Sequence, residues 1–296
     1  MKVWLQACRV NSLLISSVGV TVGAVVALHD GHFYLDRFLL AWLASVLIQA
    51  GTNLTNVYFN YKASSDPVSD PRGSSAVLRM GLLTPEQVRR GGLLSFAGGI
   101  VCGLLLTWLC GWTILLLGIP AVAAGYFYAG PPIRYGYQAL GVVSVFIFMG
   151  PVMVCGAYYV MMHSFAASSL AAAIPIGLLA AGIMHTNDLR DYDTDVLHRK
   201  RTLATLLGRP GAGYALAGMD AVAFAVVIVA VLARILPWPA LLIVLAVPQA
   251  VGQVRSVLRE TEPKQLHQVW LRGVKLHMQF GLLLIAGLLL STAFHV

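Results

Sequence analysis

The sequence predicts an all-α integral membrane protein, with nine transmembrane helices in a bundle around a central cavity and a cytoplasmic N-terminus. Of its 296 residues, 58% are hydrophobic and 11% are charged, whereas the charged fraction of soluble domains is about one quarter. Apolar runs of about 20 residues, the length that crosses the hydrocarbon core of a bilayer, recur along the chain. The composition therefore excludes an ordinary soluble enzyme.

Nine apolar segments are long enough to span the membrane. They cover residues 10–29, 37–58, 93–110, 113–130, 139–161, 167–187, 212–233, 238–256 and 274–293. We expect one transmembrane domain over residues 1–296. Two inner loops, at about residues 53–92 and 185–210, are long, polar and charged, and we expect chemistry on a polar substrate there.

The basic residues support this topology. If the N-terminus is cytoplasmic, 18 of the 20 Lys and Arg residues lie in inner segments, and only Arg37 and Arg234 lie outside. The formal net charge of +8 is then explained by topology and by attraction to anionic lipid headgroups, without nucleic acid. We expect a multi-pass protein of the cell inner (cytoplasmic) membrane, with its active site on the cytoplasmic side. Its oligomeric state stays open.

Aspartates cluster in the stretch NDLRDYDTD, residues 187–195. A continuing helix would place Asp188, Asp191 and Asp195 on one face, at positions i, i+3 and i+7. Stacked carboxylates repel each other unless a cation lies among them, and their oxygens are ligands that suit Mg²⁺. The stretch therefore predicts a Mg²⁺ site. In the alternative interpretation, the aspartates pair with neighbouring arginines in a solvated loop.

The end of the second span repeats this spacing with amides. In NLTNVYFNYKASSD (53–66), Asn53, Asn56 and Asn60 also fall at i, i+3 and i+7. Asn supplies a neutral carbonyl ligand, so these side chains alone would hold a dication weakly. Asp66 could add the missing charge if the loop folds back. A solvated loop network is the alternative here as well.

Basic residues lie beside both polar stripes, and acid, metal and base together indicate a diphosphate site. The candidates for binding the diphosphate are Lys62, Arg72, Arg190, Lys200 and Arg201. Arg134 could contact the diphosphate or an aromatic carboxylate, although a loop arginine also fits the topology alone. Asp220 lies inside the seventh span and is a functional candidate whose partner the sequence does not identify.

Three segments resemble a known family. HTNDLRDYDTDVLHRKRTLATLLG (185–208) resembles the second aspartate motif of the UbiA superfamily of intramembrane prenyltransferases, closest to the branch that prenylates 1,4-dihydroxy-2-naphthoate in menaquinone synthesis. GTNLTNVYFNYKASSD (51–66), with LRMGLLTPEQV (78–88) after it, resembles the first motif of that branch. YAGPPIRYGYQALG (128–141) resembles its Tyr-rich loop.

The resemblance implies Mg²⁺-dependent transfer of a polyprenyl group from polyprenyl diphosphate to an aromatic acceptor, with 1,4-dihydroxy-2-naphthoate as the first choice. The residues that it implies for catalysis are Asp191, Asp195, Asn60 and Asp66. The implied metal ligands are Asp188, Asp191, Asp195, Asn56, Asn60 and Asp66. The implied substrate-binding residues are Asn53, Asn56, Lys62, Arg72, Arg134, Tyr137, Arg190, Lys200 and Arg201.

The chain departs from the pattern of that branch at three positions. Val57 and Asn60 stand where members usually carry aspartates, and Val142 stands where many carry a glutamate. Three alternatives therefore stay open: a prenyltransferase for another acceptor, a non-catalytic homologue, and, from another class, a membrane transporter. The position of the acids favours an enzyme, because transporter sites lie near the bilayer midplane and these acids lie at helix ends.

Overall fold

The computed structural model describes residues 2–63 and 75–294, and almost all of them are helical. The α-helices, in chain order, are α1 (Lys2–Ala7), α2 (Val10–His29), α3 (Leu35–Ala63), α4 (Ala76–Arg79), α5 (Pro85–Cys110), α6 (Thr113–Phe127), α7 (Gly141–Ile147), α8 (Gly156–Met162), α9 (Ala167–Arg190), α10 (Tyr192–Leu197), α11 (Leu203–Leu232), α12 (Val247–Val257) and α13 (Pro263–Phe294). A π-helical turn, Phe148–Cys155, joins α7 to α8, and a 3-10 segment, Trp238–Ala246, leads into α12.

Within residues 2–63 and 75–294, eight helical segments are long and apolar enough to cross a membrane. They are α2, α3, α5, α7 to α8 (Gly141–Met162), α9, α11, the segment Trp238–Val257, and α13. The remaining predicted span, residues 113–130, corresponds to α6, whose 15 residues extend about 22 Å at 1.5 Å per residue. The all-α membrane fold is confirmed, while the count of nine spans, the central cavity and the side of the N-terminus stay predictions.

Helix packing divides the chain into two compact units. The first comprises residues 1–17 and 39–136, and the second comprises residues 18–38 and 137–296. The long helix α2 contributes residues to both units. That residues 1–296 form one domain stays a prediction.

In the first unit, the C-terminal end of α3 is packed against neighbouring helices. Its residues Leu54 and Val57 are buried in an apolar cluster with residues of α1, α4 and α5. The Asn53 amide nitrogen donates to the carbonyl oxygen of Cys8 and to the hydroxyl oxygen of Ser12, at 2.7 Å each. These contacts hold the last turns of α3 in place.

In the second unit, α9 is the central helix. Its apolar stretch is 72% buried, the largest share among the eight candidate spans, and it packs against α7, α11, α13 and the π-helical turn. Gly177 makes one of these packings possible. A Cβ atom there would lie 2.7 Å from the carbonyl oxygen of Phe146 and 2.9 Å from the Cα of Gly150. Small residues allow such close approach between helices in membranes.

Most of the second predicted loop, residues 185–210, consists of the end of α9, the short helix α10 and the start of α11. Thr202 caps α11 with a reciprocal bond pair: its hydroxyl accepts from the amide of Thr205, whose hydroxyl accepts from the amide of Thr202. Gly208, with φ 71° and ψ 165°, kinks α11 just before Pro210. A positive φ of this kind favours glycine.

We predict that Gly177→Ala lowers the melting temperature of the detergent-purified protein. The added methyl group must displace backbone atoms, and overpacking of this kind costs about 1–3 kcal/mol. The matched control is Gly218→Ala on α11, where a Cβ atom meets nothing within 4 Å and helix propensity favours alanine by roughly 0.5–1 kcal/mol. A Gly177→Ala melting temperature at or above that of the wild type would contradict this packing.

Candidate functional site: the carboxylate and lysine cluster

A cluster of two buried carboxylates and one lysine lies at the polar end of α9. Asp188, in the last turn of α9, has a relative exposure of 4%, and Asp195, on α10, has one of 6%. The Nζ atom of Lys200 donates to both carboxylate oxygens of Asp195, at 3.0 and 3.2 Å. The sequence predicted these three residues as site residues, and the structure brings them together.

Charge and burial act in opposite directions within this cluster. Burial raises the pKa of Asp195, and the charge of Lys200 acts against that rise. Burial lowers the pKa of Lys200, but the carboxylates of Asp195 and Asp188 outweigh burial, so the net shift is upward. Lys200 is therefore held in its charged form beside the carboxylates.

The predicted continuous helix through Asp188, Asp191 and Asp195 is wrong. α9 ends at Arg190, and Asp191 adopts φ −90° and ψ 9° before α10 begins. The carboxylate of Asp191 accepts from Nε and Nη2 of Arg190, both at 2.8 Å, and its side chain is 45% exposed. The bidentate arginine offsets the charge of a carboxylate that would otherwise repel the neighbouring aspartates. For Asp191, the predicted pairing with a neighbouring arginine is confirmed.

The Tyr-rich loop contacts the same segment. The amide of Ala139 donates to the carbonyl oxygen of Arg201 at 2.8 Å, within a bridge between Gln138 and Arg201. The Nζ atom of Lys200 lies 5.6 Å from the centre of the Tyr137 ring. The predicted site residues Tyr137, Lys200 and Arg201 are therefore neighbours, and the Arg201 side chain is exposed.

Residues 51–63 of the first motif form the last turns of α3. The amide nitrogen of Asn60 donates to the amide oxygen of Asn56, so these two side chains form one polar patch on consecutive turns. Asn53 is buried, and its amide nitrogen donates to the backbone carbonyl of Cys8 and the hydroxyl of Ser12. It fits a role in holding α3 better than the predicted contact with substrate.

Two further predicted residues of the first unit are placed as follows. Lys62 is exposed, and its Nζ atom lies 5.3 Å from the ring centre of Tyr58. Arg134 is exposed in the Tyr-rich loop, with φ 48°. Asp66 and Arg72 lie outside the described residues.

Two of the three positions that depart from the family pattern are buried. Val57 is fully buried in the apolar cluster of the first unit, and Val142 is buried at the start of α7. A carboxylate at residue 57 would lose its hydration without gaining a charged partner in the apolar cluster. The loss of an acid at residue 57 is therefore matched by the packing around it.

The donors of the second motif fit Mg²⁺ bound together with a phosphate ligand. In residues 2–63 and 75–294, no three His, Cys, Asp or Glu side chains are grouped as a metal cage. Asp188 and Asp195 supply two carboxylates, and Mg²⁺ is commonly held by one or two carboxylates plus substrate phosphates. The oxygen-rich donor set therefore suits this ion better than a metal that needs a closed protein site.

Asp220, a functional candidate from the sequence, lies in a buried polar layer of the second unit whose other members, Gln253 and His277, sequence reasoning missed. Neither Oδ atom of Asp220 nor Oε1 of Gln253 has a hydrogen-bond partner in the described part of the chain. Asp220 and His277 each lie one turn from Phe224 and Phe280, whose ring centres are 5.1 Å apart. The sequence shows these polar residues within apolar runs. Whether they lie close to one another depends on how the helices pack.

Two contacts of α10 were also not predicted from the sequence. The ring of Tyr192 is partly buried against an apolar cluster. The guanidinium of Arg209 lies 4.8 Å from the centre of that ring, and it pairs with Asp193 at 2.7 Å. No feature of the amino-acid sequence distinguishes Arg209 from the other basic residues of the predicted inner segments.

Three known proteins can be compared with this chain. A 1,4-dihydroxy-2-naphthoate octaprenyltransferase from Bacillus subtilis (strain 168) is 30% identical over 291 residues, which cover 97% of this chain and 92% of the relative. The apo structure of a UbiA homologue from Aeropyrum pernix K1 matches with a TM-score of 0.73 and 19% identity, over 95% of this chain and 98% of that one. A UbiA homologue from Archaeoglobus fulgidus bound to GPP and Mg²⁺ matches with a TM-score of 0.65 and 14% identity, over 96% and 99%.

The two solved structures share less than 25% identity with this chain, so they show its fold alone. The similarity in sequence also shows the family. The model of the UbiA prenyltransferase family matches residues 17–293, which is nearly the whole chain and includes both motifs and the Tyr-rich loop. The protein belongs to the UbiA prenyltransferase family.

Proposed function

We propose that this protein transfers a polyprenyl group from polyprenyl diphosphate to 1,4-dihydroxy-2-naphthoate in a Mg²⁺-dependent reaction. The observation that carries the proposal is the pair of buried carboxylates, Asp188 and Asp195, beside Lys200 at the polar end of an apolar helix. The acceptor is supported by the activity named for the Bacillus subtilis relative. The metal and the prenyl diphosphate are supported by the ligands of the Archaeoglobus fulgidus homologue. The reaction is proposed for the cytoplasmic side of the inner membrane.

The proposal gives the residues of the two motifs distinct roles. Asp188, Asp191 and Asp195 would hold Mg²⁺, with Asn56, Asn60 and Asp66 contributed by the first motif. The basic side chains proposed to neutralise the diphosphate are Lys62, Arg72, Arg134, Arg190, Lys200 and Arg201. Asn53 is assigned to positioning α3, because its amide nitrogen already bonds to Cys8 and Ser12.

The chemistry requires a diphosphate to leave and an aromatic carbon to take its place. Mg²⁺, when bound, supplies positive charge that stabilises the departing diphosphate. The allylic C–O bond breaks, and its electron pair leaves with the diphosphate. The ring carbon that bears the carboxylate then bonds to the allylic carbon, and the carboxylate leaves as CO₂, so the product requires no external base.

The surrounding protein would favour this sequence of bond changes. Lys200, held in its charged form by the carboxylates, is placed to form an ion pair with a diphosphate oxygen. The Tyr137 ring, already near a cation, offers a π face that tolerates positive charge. The apolar walls of the spans would keep water from the allylic cation.

Two other candidate functions are distinguished by simple outcomes. A non-catalytic homologue is favoured by the burial of Val57 and Val142, and it would bind a prenyl diphosphate with Mg²⁺ without forming product. A transporter of small solutes would not be stabilised by that ligand. Binding of the ligand raises the melting temperature only of a protein that has the site.

We predict that Asp195→Asn reduces Mg²⁺-dependent product formation by at least about 100-fold, a loss typical of removing one charged contact to a transition state. Membranes containing the variant are incubated with Mg²⁺, a polyprenyl diphosphate, and dihydroxynaphthoate or 4-hydroxybenzoate in parallel. Mass spectrometry of the lipid extract measures each product.

The matched control is Glu262→Gln, which neutralises an exposed acid in another inner segment and should retain wild-type turnover. The yield of folded protein is compared for both variants. Full activity of Asp195→Asn would remove the metal role of the second motif, and product with 4-hydroxybenzoate alone would replace the acceptor.

We predict that Asn60→Asp lowers the Mg²⁺ concentration for half-maximal activity severalfold, because metal affinity rises with the charge of the ligands. Val57→Asp should instead lower the melting temperature without improving Mg²⁺ binding, because residue 57 is buried among apolar side chains. Titration of turnover with Mg²⁺ and thermal unfolding separate the two effects. An unchanged Mg²⁺ requirement in Asn60→Asp would exclude Asn60 from the ligand set.

A further inference from the structure

The helix that carries Asp195 is too short to hold its own position. α10 comprises six residues, whereas isolated helices shorter than about 12 residues are marginal in water. Its orientation therefore depends on side-chain contacts with other elements. If Asp195 is a metal ligand, as the proposed function requires, those contacts determine where its carboxylate lies relative to Asp188.

One face of α10 is held by Tyr192. Its ring is partly buried against an apolar cluster of the second unit. The members of that cluster are Leu189, Ala204, Ala212, Leu216, Val257, Leu266 and Val269. The ring anchors the first residue of α10, and the ion pair between Lys200 and Asp195 restrains the helix further along.

The outer side of the same ring is covered by Arg209. Its guanidinium lies 4.8 Å from the ring centre of Tyr192. Its Nη2 atom donates to the Asp193 carboxylate at 2.7 Å, and its Nη1 atom donates to the carbonyl oxygen of Thr261 at 3.2 Å. One side chain thus joins two residues of α10 to the connection between α12 and α13.

The backbone explains why Arg209 can make all three contacts. It follows directly after the kink at Gly208 in α11, and its side chain is only 24% exposed although Asp193 is 75% exposed. A planar guanidinium can stack on an aromatic ring while it donates from two nitrogens, which an ammonium group cannot do.

We propose that Arg209 is a positioning residue that acts through α10 to fix the carboxylate of Asp195. The inference rests on the proposed function only for its catalytic consequence. An ion pair to a carboxylate as exposed as that of Asp193 adds little stability, so the role of Arg209 is one of geometry. Misplacement of a reacting group by about 1 Å can cost about 100-fold in rate.

The first test measures hydrogen exchange of residues 191–200 in the full-length protein, without Mg²⁺ or substrate. Arg209→Ala should increase amide exchange in this segment severalfold. Arg259→Ala is the matched control, because Arg259 is an exposed arginine between α12 and α13. Its side chain forms no hydrogen bond or ion pair within the described residues. Tyr192→Phe keeps the stacking ring and should behave as the wild type. Equal exchange in Arg209→Ala and Arg259→Ala would overturn the inference.

The second test separates positioning from general destabilisation. Arg209→Ala should raise the Mg²⁺ concentration for half-maximal activity and reduce turnover about tenfold or more, with the KM for the aromatic acceptor and the melting temperature close to those of Arg259→Ala. Arg209→Lys keeps the charge but should recover only part of the loss.

The two hypotheses can fail separately. If the wild-type protein forms no product, the proposed function fails, and hydrogen exchange still decides whether Arg209 holds α10. If the wild type is active and Arg209→Ala matches Arg259→Ala in both exchange and Mg²⁺ requirement, only the positioning role is removed.

Discussion

The free-energy cost of burying carboxylates at the end of an apolar helix determines which charged groups this site must contain. Asp188 and Asp195 are both buried, and buried charges are tolerated only with a partner. Lys200 supplies one positive charge for two carboxyl groups. The excess of carboxyl groups over lysine charge favours binding of a further cation. Together with the neighbouring Arg190 and Arg201, the site also favours an anion that binds along with that cation.

The second unit is built so that this cluster has a fixed setting. The packing of Gly177 against the π-helical turn and the burial of α9 restrain the helix that carries Asp188. The Thr202 cap and the bridge from Gln138 to Arg201 restrain the backbone directly after Lys200. α10 is the exception, because six residues cannot form a stable helix alone. The precision of the site therefore depends on the few side chains that hold α10.

Periodicity and apolar length were sufficient to predict the helices but not their polar ends. α13 begins at Pro263 rather than near residue 274, because a helix can continue through polar residues that hydropathy excludes. The aspartate face was predicted from an ideal helix, and the chain breaks that helix at Asp191, where Arg190 neutralises the carboxylate. Val57 looked like a missing ligand, and the structure shows a packed core residue. The layer of Asp220, Gln253 and His277 depends on which helices meet, and this information is not local in sequence.

Because Val57 and Val142 supply no carboxylate, the proposed reaction depends mainly on α9 and α10. A first motif that offers Asn56 and Asn60 contributes amide oxygens, which carry no full charge to offset a dication. The described acids close to Lys200 all belong to the second motif, so its geometry matters more than in a protein with carboxylates in both motifs. Because Asp195 sits on the least supported helix of that motif, residues far from the reacting atoms, such as Arg209, gain influence over the chemistry.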